Sequence, residues 1–144
     1  MIKEIIHNKK LYALVVKSFR KKKGLSFFTK NSYNQQIGYM KHPKDFLIKP
    51  HLHSKRITKI FITSEVIVLQ KGKLRVDFYN KKKKYLFSVY INKGEIIMLV
   101  HGGHGFKIIK DVEMLEIKQG PYLLSSDKVK FEKIDEKKIK IKKI

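Results

Sequence analysis

Cysteine and tryptophan are absent from the 144 residues. Without cysteine, disulfides and thiolate ligands are excluded, so a metal would have to be held by imidazole and carboxylate groups. Long hydrophobic runs are also missing, because no stretch approaches the roughly 20 apolar residues that a membrane-spanning helix needs. The N-terminal segment has no apolar run followed by a small-residue cleavage site. We therefore expect a soluble, cytoplasmic protein.

Acidic residues are few, and 34 lysines and arginines against 12 acids give a net charge of +22. Such a charge invites a nucleic-acid-binding interpretation, since clustered cations gain affinity by releasing phosphate counterions. However, only three residues are arginine, the usual reader of guanine edges, and the lysines are spread along the whole chain. This scatter, beside abundant Ile and Asn, is typical of an A/T-biased coding sequence. The composition therefore argues against a nucleic-acid partner.

Period-two alternation of apolar residues dominates the chain and predicts an all-β protein. The clearest strand is residues 73–79, where Leu74, Val76 and Phe78 share one face that should line the core. We predict hairpin turns at residues 71–72 and 80–84. Further predicted strands cover residues 11–19, 25–39, 65–69, 85–90, 96–100 and 112–118. Short strands at intervals of about ten residues indicate a sandwich or closed barrel.

The chain contains no internal repeat or linker, so we predict a single domain over residues 1–144. Its core barrel should span about residues 36–122, with N-terminal strands in residues 1–35. The tail, residues 123–144, is compatible with strand, short helix or frayed structure.

Three sequence features could together hold a divalent metal ion. His51 and His53 alternate in an extended context after Pro50, so both imidazoles share one face. Glu65 opens the next strong strand, and His104 lies in a glycine-rich stretch that allows backbones to approach closely. Neutral imidazoles with one carboxylate suit a hard-to-borderline divalent ion.

The pattern His51-x-His53, Glu65 followed after six residues by Gly72, and then Gly94-Glu95 leading to residues 102–104 resembles the two motifs of the cupin superfamily. The resemblance covers about residues 46–119. It implies a cupin-type jelly-roll β-barrel that holds one divalent transition metal (Fe, Mn, Ni or Zn). The ligands that it implies are His51, His53, Glu65 and His104.

Two departures from the cupin pattern affect the site. Eleven residues, 54–64, separate His53 from Glu65 where the family usually has about four, so a longer loop must fold over the site. The second motif has Val100 at the usual proline position, and its histidine comes one place early. His101 is therefore a rival ligand to His104. We favour His104 because glycines flank it. His101 would then contact the substrate or one of the metal-binding residues.

A narrower resemblance links residues 38–43, 63–65, 102–106 and 118–122 to small cupins of bacterial surface-polysaccharide gene sets. It implies a metal-dependent cupin that acts, as an enzyme would, on a small, polar, carbohydrate-related molecule. A non-catalytic cupin that binds a sugar or an anion remains the alternative. A homodimer is expected, because cupins commonly pair or exchange exposed N-terminal strands. Candidate substrate contacts are Gln36, Tyr39, Arg75, His101, Glu116, Lys118 and Gln119.

Overall fold

The computed structural model describes residues 1–19, 23–121 and 127–144, and it is all-β, as the alternation predicts. Its described residues contain no α-helix, only a short 3₁₀ helix at Glu136–Lys138, and no helix long and apolar enough to cross a membrane. The eight strands are β1 (Ile2–His7), β2 (Lys10–Val16), β3 (Gly24–Phe27), β4 (Gly38–Lys41), β5 (Glu65–Tyr79), β6 (Tyr85–Asn92), β7 (Ile96–Leu99) and β8 (Gly103–Lys118).

Strand β5 is the centre of a six-stranded antiparallel sheet. One of its edges pairs first with β7, through Glu65 to Val68, and then with β6, through Lys73 to Tyr79. Its other edge pairs with β8 along the whole strand. The sheet continues from β7 to β2 and β1, while β3 and β4 form a separate hairpin. The result is a curled half-barrel.

The long β5–β8 ladder bends where its register shifts, between Leu69 and Leu74. Gly72 lies in this bulge with φ of +84°, and its Cα faces the carbonyl groups of Lys110 and Asp111. A bulge inserts unpaired residues and increases the local bend of a ladder. Residues 71–72 are therefore a bulge within one continuous strand, where the sequence predicted a hairpin turn. The predicted turn at residues 80–84 is confirmed, since it joins β5 to β6.

The bulge also changes which residues of β5 face the concave side of the sheet. Ile67 and Leu69 face it before the bulge, whereas Leu74, Val76 and Phe78 face it afterwards. All five side chains are fully buried in one hydrophobic cluster with side chains from β2, β6 and β7. The predicted core face of residues 73–79 is therefore confirmed. A second, smaller cluster lies on the other side of β2 and β7, beneath the β3–β4 hairpin.

The tail crosses the convex face of the sheet. Arg75 is buried there and forms paired contacts with Asp77 (2.8 and 3.1 Å) and with Glu136 of the tail (2.6 and 3.0 Å). Farther along, Ser88 pairs in parallel with Ile141. These contacts hold residues 136–141 against β5 and β6. This part of the tail is therefore ordered as a short 3₁₀ helix followed by a single β-bridge.

Gly72 offers a direct test of the bend. A Cβ at Gly72 would overlap the carbonyl oxygens of Lys110 and Asp111, whereas a Cβ at Gly94, which has a similar φ of +82°, meets nothing within 4 Å. We expect Gly94→Ala to cost about 1 kcal/mol of unfolding free energy, the strain of a left-handed alanine. Gly72→Ala should cost about 3 kcal/mol or more, because it adds a backbone clash to that strain.

Urea unfolding monitored by circular dichroism measures both costs. Equal losses in the two variants would show that the close approach of β5 and β8 at Gly72 does not constrain the fold.

Candidate functional site

Glu65 and His104 lie at opposite ends of the β5–β8 ladder, yet their side chains meet. In the ladder Glu65 pairs with Lys118, and His104 pairs with Phe78, thirteen positions farther along β5. A straight strand would separate these ends by roughly 40 Å. The curl of the sheet instead places His104 Nε2 2.8 Å from Glu65 Oε2. The sequence predicted His104 in a turn, but it is the second residue of β8.

Glu65 is a nearly buried carboxylate on the concave side, only 6% exposed. The contact with His104 lowers the pKa of Glu65 against the opposing effect of burial, and Lys128 and Lys118 lower it further. Glu65 is therefore ionised at neutral pH. His104 Nε2 lies at hydrogen-bond distance from Glu65 Oε2, which is why it lowers the pKa, but its N–H is not well aligned on that oxygen, and no other donor among the described residues reaches it.

Lys128 brings a positive charge to the same place. Its ammonium group lies 3.6 Å from Glu65 Oε1 and 3.5 Å from Glu116 Oε1. Burial opposes the protonated form, but the two carboxylates outweigh it and raise the pKa of Lys128. Sequence reasoning missed Lys128, because nothing in the local pattern of the tail places it near residue 65. Beside it, Glu116, Ile117, Lys118 and Gly120 line an open groove of about 720 Å³.

His51 and His53 lie close to each other but not in a strand. Both are exposed within residues 42–64, a stretch without assigned strand, and their ring centroids are 5.2 Å apart. His51 Nδ1 is 3.0 Å from the carbonyl oxygen of Lys49. The two imidazoles border an apolar groove of about 850 Å³ between this stretch and the β3–β4 hairpin. They are not grouped with Glu65 and His104, and the described residues hold no cluster of three or more potential metal ligands.

His101, the rival ligand, points to a different neighbour. Its ring stands edge-on to that of Tyr12, with centroids 5.1 Å apart. Burial lowers the pKa of His101, and the charges of Lys10 and Lys81 lower it further. The imidazole is therefore neutral at pH 7. Of the two rival histidines, His104 is the one in contact with Glu65.

Among the candidate substrate contacts, Glu116 and Lys118 lie beside the Glu65–His104 pair. Gln119 accepts a hydrogen bond from the Ser64 amide (2.7 Å) and so joins the end of β8 to the start of β5. Lys118 contacts Asp127. The other candidates lie elsewhere: Arg75 is on the convex face, the Gln36 amide donates to the Lys30 carbonyl, and Tyr39 stacks on Phe19. Tyr122, within a motif quoted above, is outside the described residues.

No protein-family model, curated protein or solved structure matches the chain. The description of the site therefore depends on its own geometry.

The pKa of Glu65 predicts how stability responds to acid. A carboxylate whose native pKa is below its ordinary value of 4.5 stabilises the native state above that pH. The stabilisation is lost as the pH falls through the native pKa. The unfolding free energy of the wild type should therefore decrease more steeply below about pH 4.5 than that of Glu65→Gln.

Urea unfolding between pH 6 and pH 2.5 measures both curves, and Glu4→Gln, at an exposed carboxylate on β1, should follow the wild type. Parallel curves for the wild type and Glu65→Gln would contradict the lowered pKa.

Proposed function

We propose that the chain is a metal-dependent, cupin-type barrel protein that acts on a small, polar, carbohydrate-related molecule. In this proposal His51, His53, Glu65 and His104 hold one divalent transition metal. The observation that carries it is the Glu65–His104 pair: a buried, ionised carboxylate with an unsatisfied oxygen and an imidazole nitrogen at 2.8 Å.

The chemistry of this pair suits a metal ion better than a structural role alone. A buried carboxylate is costly unless its oxygens are satisfied, and the described residues offer no aligned donor to Oε2. Nitrogen and oxygen atoms that bind one metal at about 2.0–2.2 Å lie close to each other, as His104 Nε2 and Glu65 Oε2 do. A carboxylate with imidazoles is a donor set for iron, manganese, nickel or zinc.

Completion of the site requires residues 51–64 to fold toward the pair. The end of this segment is held beside Glu65 by the Ser64–Gln119 hydrogen bond. The twelve steps from His53 to Glu65 can span roughly 40 Å, so chain length does not prevent the approach. Leu52, Ile57 and Phe61 are 97%, 102% and 88% exposed. Folding over the concave side would bury part of this apolar surface, which favours closure.

A metal bound here would polarise a substrate oxygen or lower the pKa of a bound water molecule. Around it, Lys128 supplies a positive charge for a polar or anionic ligand, and Glu116 supplies a carboxylate at the groove. The lysines in this groove also favour the second candidate, a cupin that binds a sugar or an anion without catalysis. Turnover that disappears on chelation would distinguish the enzyme from the binding protein.

Metal content tests the proposed site. Freshly prepared, chelator-free protein should contain about one transition metal per chain, or take up one of iron, manganese, nickel or zinc. His51→Ala, His53→Ala and His104→Ala should each lose most of it, because removing one of four ligands weakens the site strongly. His101→Ala is the matched control and should retain the metal.

Elemental analysis and metal titration measure this, with circular dichroism to confirm that each variant is folded. Negligible metal uptake by the wild type would refute the proposed site. Retention in His104→Ala with loss in His101→Ala would show that the second motif was aligned wrongly.

A further inference from the structure

Strand β8 has one edge that pairs with no described strand. It is sixteen residues long, and β5 is its only partner among the described strands. Five large apolar side chains of β8 are at least one-third exposed: Ile108, Ile109, Met114, Leu115 and Ile117. Folded proteins usually protect or shorten such edges, because free N–H and C=O groups pair readily with another chain. We call residues 108–117 the β8 edge.

A second apolar surface lies on the outer side of the β3–β4 hairpin. Leu25 and Phe27 of β3 and Met40 of β4 are about half exposed or more. They line the 850 Å³ groove with Phe46, Leu47 and Ile48, which are also exposed. We call these six residues the hairpin patch. The inner side of the hairpin region already packs on the small core through Phe28 and Tyr39, so the patch faces away from its own sheet.

The two surfaces differ in the formal charge of their own residues. Residues 23–49, which contain the hairpin patch, include five lysines and a single acid, Asp45. The β8 edge contains Asp111, Glu113 and Glu116 against one basic residue, Lys110. Lys71 lies 2.9 Å from Glu113 and Lys128 lies 3.5 Å from Glu116, which offsets part of this acidic charge. In a chain with a net charge of +22, such an acidic stretch is an unusual feature. Opposite charges attract across an interface, and the like charges within each surface disfavour pairing of that surface with itself.

We propose that the hairpin patch of one copy docks on the β8 edge of a second copy, and that two reciprocal contacts form a two-fold dimer. Together the two surfaces expose on the order of 1,000 Å² of apolar side chain per copy, the same order as the roughly 800 Å² that each partner buries in a standard interface. A two-fold operator uses both surfaces of each copy at once, which closes the assembly. The proposal does not depend on the metal site. It also differs from pairing through β1, the outermost strand of the sheet.

Light scattering and sedimentation of the full chain test the dimer, with an expected mass of twice 17.1 kDa. Leu115→Arg places a cation on the β8 edge opposite the basic patch, and Met40→Asp places an anion on the patch opposite the acidic edge. Each should raise the dimer dissociation constant about tenfold or more. Ile6→Lys, at an exposed apolar residue of β1, is the matched control and should remain dimeric.

Cysteine pairing identifies which chain supplies each surface, because the natural chain has no cysteine. After mild oxidation, an equal mixture of Met40→Cys and Leu115→Cys proteins should give a covalent dimer on a non-reducing gel, above the amount from either variant alone. A chain carrying both substitutions should also cross-link between copies. Both readouts report on contact even if one charged variant fails to fold.

Three results would overturn the proposal. The wild type could be monomeric at every concentration, or the dimer could persist in both charged variants and dissociate in Ile6→Lys. The double-cysteine chain could also form its disulfide within a single monomer, which would show that the hairpin patch docks on the β8 edge of its own chain.

Discussion

The bend in the β5–β8 ladder is the constraint that brings the side chains of Glu65 and His104 together. Thirteen positions of β5 separate the partners of Lys118 and His104, and only strong curvature brings the two ends together. The curvature is concentrated where Gly72 approaches the carbonyl groups of Lys110 and Asp111, a space that admits no Cβ. A hydrophobic interior of fully buried side chains then fills the concave side.

The two faces of β5 use their charged groups in different ways. On the convex face, Arg75 satisfies two carboxylates, and Ser88 donates a further hydrogen bond to Asp77 (2.5 Å), so the tail is held by a nearly complete network. On the concave face, Glu65 has His104 and Lys128 nearby but keeps an oxygen without an aligned donor. Complete networks stabilise a fold, whereas an incomplete one beside an open groove is typical of a site that receives a ligand.

Sequence reasoning could predict the strands but not the change of face within β5. Alternation identified Leu74, Val76 and Phe78 as core, and all three are fully buried. The bulge at Gly72 then reverses which positions face inward, so Arg75 faces the tail while Glu65 faces the concave side. An alternating apolar pattern does not reveal an inserted residue, and Gly72 itself is the one sign of the bulge in the sequence. Only the resemblance to the cupin motifs grouped Glu65 with His104, and the approach of Lys128 depends on tertiary packing across more than sixty residues.

For His51 and His53, the sequence predicted their position relative to each other but not their position in the fold. Their alternation predicts that His51 and His53 share a face, and the structure places their rings edge-to-face with centroids 5.2 Å apart. Their position outside any strand was not predictable, because Pro50 and the eleven residues before Glu65 interrupt any continuous pattern. The segment that carries them is basic and apolar, and it leaves its apolar side chains exposed. The proposed metal site requires this segment to bring His51 and His53 within reach of the same metal ion as Glu65 and His104.

A crystal of the full chain soaked with zinc, with data collected at the zinc absorption edge, tests most directly whether these four residues bind one metal ion. We predict one strong anomalous peak about 2.0–2.2 Å from a Glu65 oxygen and from His104 Nε2, with nitrogen atoms of His51 and His53 completing the coordination. A peak bound only by His51 and His53, or no peak within reach of Glu65 and His104, would contradict the account.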